Sequence, residues 1–289
     1  MNMPLTTVRI LDFTRLLPGP FCTAELADLG ADVVKVEDAG AGDYLRQTPP
    51  IKNKFSFLYT LINRNKRSLS LDFQRGRAAL IKLVETADVL VEGFRPGVME
   101  SRGLGYESLK TVNPKLVYCS ITGYGQTGPW TMRAGHDLNY CALSGMSSQV
   151  GPTRVPNFQI ADLVAGAKQA AIGILAALIS ARHDGQGRHV DVAMFDGCIT
   201  GLIAAYAAKL ANGHAPEPGA DLLSGAMPFY DLYPTRDGRY VAFAAIEDKF
   251  WKAFCLAVEK PDWLGRHFDL DIRKELAELF ASQTLAYWT

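Results

Sequence analysis

The chain has 289 residues, 48% of them hydrophobic, with 30 basic and 30 acidic side chains and no net charge. That length holds one large domain or two modest ones. The charge balance argues against nucleic acid or an anionic membrane as a partner. The five cysteines (Cys22, Cys119, Cys141, Cys198 and Cys255) are scattered and form no C-x-x-C. A disulfide framework and a zinc site are therefore disfavoured, and no metal is expected. The N-terminus lacks the basic-then-apolar build of a signal peptide, and the longest uncharged runs, 169–181 and 197–208, are too short to span a bilayer. A cytoplasmic location is expected, with organellar import left open.

An apolar run predicts a strand over 8–13, broken by LLPGP. Helical spacing follows over 21–29, ended by Gly30 as a C-cap, and a second strand over 31–37. This βαβ unit implies a parallel pair with a right-handed crossover. Its first turn carries L-P-G-P rather than G-x-G-x-x-G, which argues against a dinucleotide held there with Glu37 or Asp38 on a ribose. The stretch 43–60 is irregular. NRNKRS, residues 63–68, carries three positive charges: a solvated loop or a phosphate clamp. A helix is predicted over 75–87 and a third strand over 88–94. Arg95 follows it, at the carboxyl end of a parallel strand, where open α/β sheets bind ligands. A short helix over 106–113 and a fourth strand over 115–122 come next.

The stretch 133–167 holds the candidate chemistry. RAGHDLNY places His136 and Asp137 together after a glycine, and Asp162 stands 26 residues beyond His136, at the start of an apolar helix predicted to run to about 183. Taken singly, each has an ordinary structural reading: a turn histidine and an N-capping aspartate. Taken as a pair facing one point, a histidine and a carboxylate suit proton transfer to and from carbon. A strand over 190–194 and an apolar helix over 196–212 follow. Residues 212–223 look like a linker. Alternation over 229–234 and 239–246 around a turn predicts an antiparallel hairpin, then a helix over 248–259. The expected organisation is an α/β large domain over 1–190, a helix and linker over 191–224, and a small α+β domain over 225–289.

Seven separated stretches, in order, resemble the class III CoA-transferase (CaiB/BaiF) family: TRLLPGPFCTAELADLGADVVKVE, NRNKRSLSLD, DVLVEGFRPGVMESRGLGYESL, SITGYGQTGP, AGHDLNYCALSG, ADLVAGA and PFYDLYPTRDGRYVAFAAIEDKFW. The resemblance covers essentially the whole chain and is nearest to α-methylacyl-CoA racemase. It implies a Rossmann-like parallel-sheet large domain, a small α+β domain, an interlocked homodimer and an acyl-CoA substrate, with no cofactor beyond the CoA moiety. It implies His136 and Asp162 as the acid/base pair of a racemase inverting the α-carbon of a 2-methylacyl-CoA thioester, with Glu247 orienting and charging His136. The Asp137 N–H becomes the oxyanion donor, Tyr140 lies near the thioester, and Arg15, Arg64, Lys66, Arg67 and Arg95 hold CoA. The family's transferases use the aspartate matching Asp162 as nucleophile instead, through an anhydride and an aspartyl-CoA thioester. Family members run on past SQTLAYWT, so the resemblance also implies a C-terminally truncated chain. A chain that binds CoA or a full-length partner without catalysis is the remaining alternative.

Overall fold

Alternation along the strands decides which face of the sheet each residue serves. In the segment Val89–Glu92, Val89 and Val91 join one buried cluster and Leu90 joins the other. Both faces of the sheet are thus covered, as a parallel sheet requires. The computed structural model describes residues 3–40, 42–151 and 155–289. Its central sheet has six strands: β1 Arg9–Asp12, β2 Asp32–Glu37, β3 Lys66–Ser70, β4 Val89–Glu92, β5 Val117–Thr122 and β6 His189–Ala193. They lie in the order β3-β2-β1-β4-β5-β6, every neighbouring pair parallel. The order reverses between β1 and β4, and the crevice outside the carboxyl ends of such a pair is the standing ligand position of open α/β sheets.

On one face, the Pro18–Asp28 helix (Cys22, Leu26) and a long helix (Ala170, Ile174, Leu178) pack on Ile10, Val91 and Cys119. On the other, Leu80 and Val84 of the Arg77–Val84 helix pack with Leu11, Val36 and Tyr118. The long helix begins as a π-helix over Ala161–Lys168 and continues as an α-helix over Gln169–Asp184. Among the described residues this helix is long and apolar enough to cross a membrane, by length and composition only, and the bent pair Met194–Thr200 with Ile203–Asn212 passes the same test taken together. The buried small residues of the long helix belong to the core of the sheet.

Three predicted stretches change. Residues 43–60, expected to be irregular, carry a 3-10 helix Tyr44–Gln47, a short antiparallel pair of Ile51–Lys52 with Phe55–Ser56, and the start of a helix Phe57–Ile62. The basic stretch read as a loop or clamp is a turn over 63–65 that runs into strand β3, whose Lys66 to Ser70 pair with Val33 to Glu37 of β2. The single helix expected over 196–212 is two, Met194–Thr200 and Ile203–Asn212, parted by a turn at Gly201 and Leu202.

The chain divides into two compact units, residues 1–147 with 153–202, and residues 148–152 with 203–289. In the second unit, β7 Tyr230–Pro234 and β8 Tyr240–Ala244 form an antiparallel hairpin. Gly238 makes its turn possible at φ +70°, a left-handed conformation that suits glycine. Phe229, Tyr233, Trp251, Trp263, Leu276 and Phe280 form this unit's core.

Candidate active site

The carboxyl ends of β1, β4, β5 and β6 open into a cavity of about 490 Å³. Arg15 and Leu16 reach it from β1, Phe94 and Arg95 from β4, and Ile121 to Gly123 from β5. His136, Tyr140 and Asp162 line it as well. Its charged lining is three arginines (Arg15, Arg95 and Arg133) against one carboxylate, Asp162. Such a lining attracts a polyanion and suits phosphate in particular.

His136 sits where an extended residue (φ −133°, ψ 175°) turns into the helix Asp137–Leu143. Its backbone N–H donates to the Asn139 side chain at 3.0 Å, half of a capping box. The ring is exposed. One turn on, Tyr140 is buried and donates its hydroxyl to the Gly135 carbonyl at 2.7 Å. Burial, then the nearby Asp162, pushes the Tyr140 phenol up to about 12. A Cβ on Gly123 or Gly135 would meet the Tyr140 ring at 2.6 or 2.7 Å, so the glycines make room for the tyrosine.

Asp162 is the second residue of the π-helix, not its cap. The cap is Asp137, whose Oδ1 accepts from the N–H groups of Ala161 at 2.7 Å and Asp162 at 3.0 Å. This satisfies two of the four free amides that begin any helix. Burial, then the Asp137 charge, pushes the Asp162 carboxyl from 3.8 to about 7. The Asp137 side chain therefore acts on Asp162 rather than lining the cavity. The Asp137 N–H opens its own helix, and no partner for it is found among the described residues. Asp137→Asn is expected to keep the cap and move the Asp162 midpoint below about 7. Carbon-13 carboxyl titration would read this, and an unmoved midpoint would leave burial as the whole cause.

Of the five basic residues expected to hold CoA, only Arg15 and Arg95 line the cavity. Arg64 pairs with Asp28, and Arg67 pairs with Asp32 at 2.6 Å. Lys66 is buried, with its Nζ 3.0 Å from Asp12 Oδ2, 2.8 Å from the Pro20 carbonyl and 2.9 Å from Asn63 Oδ1. Burial pulls its ammonium below the ordinary lysine value, and Asp12 opposes that. Strand pairing explains the difference for Lys66 and Arg67: β3 lays them along β2 and its neighbours, while Arg64 stands in the turn just before it. Glu247 belongs to the second unit. It is exposed there, and its carbonyl caps the Asp248–Ala257 helix by accepting from Phe250 and Trp251.

Sequence reasoning missed Arg133, which lines the cavity and lies 5.1 Å over the Trp130 ring. It also missed Glu92, which ends β4 at 4% exposure and accepts the Phe94 N–H at 2.8 Å. Burial pushes the Glu92 carboxyl up to about 7.

The family profile described as CoA-transferase family III matches residues 5–289. The chain belongs to that family. It is 36% identical over 300 residues to alpha-methylacyl-CoA racemase of Homo sapiens, covering 99% of this chain and 74% of that protein. It is 37% identical over 300 residues to succinyl-CoA:mesaconate CoA-transferase of Haloarcula marismortui, again covering 99% and 74%. Among solved structures, a CAIB/BAIF family protein from Brucella suis superposes with a TM-score of 0.83 at 33% identity, covering 98% of this chain and 79% of that one. The family therefore brings racemases and CoA-transferases to this chain at nearly equal identity.

Proposed function

We propose that this member of the family is an acyl-CoA racemase that inverts the α-carbon of a 2-methylacyl-CoA thioester. The observation that carries the reading is the pairing of His136 with Asp162 on one cavity, the carboxyl of Asp162 lying at about 7. A group near neutral gives and takes a proton with similar ease, which is the tuning general acid–base catalysis needs. One side chain removes the α-proton, leaving an enolate whose charge rests on the thioester oxygen. The other returns a proton to the opposite face. No bond to sulfur is broken and the thioester is recovered. The N–H of Asp137, which has no partner among the described residues, is the proposed donor to the enolate oxygen, a contribution of about 3 kcal/mol for a well-aimed donor. Arg15, Arg95 and Arg133 supply the positive lining for the CoA phosphates.

The test is (R)-2-methylbutanoyl-CoA in D₂O with no acceptor acid. Deuterium entering the α-carbon as the (S) form accumulates is the expected result. No exchange, together with an acyl group trapped by hydroxylamine on Asp162, would replace the proposal with the transferase chemistry of the other relatives.

A further inference from the structure

Beneath the cavity lies a buried set of four charges that the proton transfer does not use. Asp12, Lys35, Asp43 and Lys66 have side chains no more than 1% exposed. Burial alone would raise the Asp12 carboxyl, but Lys35 and Lys66 hold it well below the usual range. Two acids and two ammonium groups balance, as buried charges must.

This set grips the chain on both sides of Arg15. Asp12 Oδ1 accepts from the Thr14 N–H at 3.0 Å and from the Thr14 hydroxyl at 2.5 Å. Lys35 Nζ donates to the Thr14 carbonyl at 2.5 Å and lies 3.2 Å from Asp43 Oδ2. The other Asp43 oxygen accepts the Leu16 N–H at 3.1 Å and the Leu45 N–H at 3.0 Å. Leu16 needs such a hold, because its φ of +63° is a left-handed conformation that leucine does not keep unaided. Tyr44 completes the arrangement. Arg15 Nη1 donates to its hydroxyl at 3.3 Å, and the guanidinium lies 5.5 Å from the Tyr44 ring and 4.7 Å from the Phe94 ring.

We infer that the Asp43–Tyr44 step is a positioning device for Arg15, with Asp43 fixing the strained backbone beside it and Tyr44 its side chain, so that the guanidinium meets a CoA phosphate in a preset pose. The inference rests on the acyl-CoA reading of the cavity. A guanidinium held in place loses less conformational freedom on binding an anion.

The test is calorimetric titration of the whole chain with acetyl-CoA, using Arg15→Ala, Asp43→Ala, Tyr44→Ala and each double variant with Arg15→Ala. Arg15→Ala is expected to weaken binding about tenfold or more, and Asp43→Ala about fivefold. In the Arg15→Ala background, neither Asp43→Ala nor Tyr44→Ala should add more than about twofold, since residues acting through one group are not additive. Asp43→Asn, which still accepts the Leu16 N–H, should restore most of the affinity. Tyr44 is exposed, so Tyr44→Ala settles the matter if Asp43→Ala does not fold. Losses that add to that of Arg15→Ala, or no loss, would overturn the positioning role and leave the CoA reading intact. No affinity lost in Arg15→Ala would likewise overturn only the positioning role, whereas no acetyl-CoA binding by the unaltered chain would overturn both.

Discussion

Asp162→Asn is expected to lower α-proton exchange by about 10³-fold or more while acetyl-CoA affinity stays within about threefold. The asparagine keeps the shape and most of the polarity of the side chain but carries no transferable proton near neutral pH. The same substitution has a second readout in stability. The Asp162 carboxyl is raised from 3.8 to about 7, so between these values the folded chain holds a proton that the unfolded chain has released. Its contribution is complete below pH 4 and is lost as pH climbs through 7. At pH 8 the native aspartate is therefore a liability, on the order of 4 kcal/mol at most. Asp162→Asn should be the more stable protein there, and the gap should close by pH 4. Denaturant melts at the two values would show it. Glu92 is raised in the same direction, so some loss of stability with rising pH should survive in the variant. A gain in stability with a loss of rate is the usual signature of a residue kept for chemistry.

The second large effect is expected at Gly197, in the Met194–Thr200 helix. A Cβ there would stand 2.3 Å from the Ala165 carbonyl oxygen and 2.7 Å from the Ala165 Cβ. Ala165 lies in the π-helix one turn beyond Asp162, so the two backbones must part for even a methyl group. Gly197→Ala should cost about 3 kcal/mol and lower the melting temperature by several degrees, with exchange activity falling as Asp162 shifts. Gly128→Ala is the control: its φ is +95° but nothing lies within 4 Å, so only backbone strain remains, about 1 kcal/mol. Equal melting temperatures for the two variants would show that the helices yield freely.

The strands β1, β2, β4 and β5 were readable as mainly apolar runs bounded by turn residues, and β6 as a short alternating one after the turn over 184–188. β3 was not. Its K-R-S-L-S has the look of a surface segment, and the partners that hold Lys66 and Arg67, Asp12 and Asp32, stand 54 and 35 residues earlier. The same limit hid the role of Asp137. Its neighbours in sequence mark it as a first-turn acid, and nothing local says that it caps a helix 24 residues on. Lys35 and Asp12 sit inside apolar strands, where periodicity registers burial but not the partner that permits it. His136 and Asp162 emerged from the sequence as a pair because each chemical type suits the other and because the family resemblance implies it, and it is the fold that brings both to one cavity.

The π-helix separates two tasks that a uniform helix would bind together. In an α-helix, every side chain is fixed in azimuth by its count from the first residue. Over Ala161–Lys168 the hydrogen bonds reach one residue further, which inserts a phase shift between Asp162 and the core-facing stripe of Gln169–Asp184. The carboxylate answers to the cavity and the stripe answers to the sheet. A one-residue deletion between them would be a frame change in space: the helix would survive, and its two ends would no longer agree on which way is in.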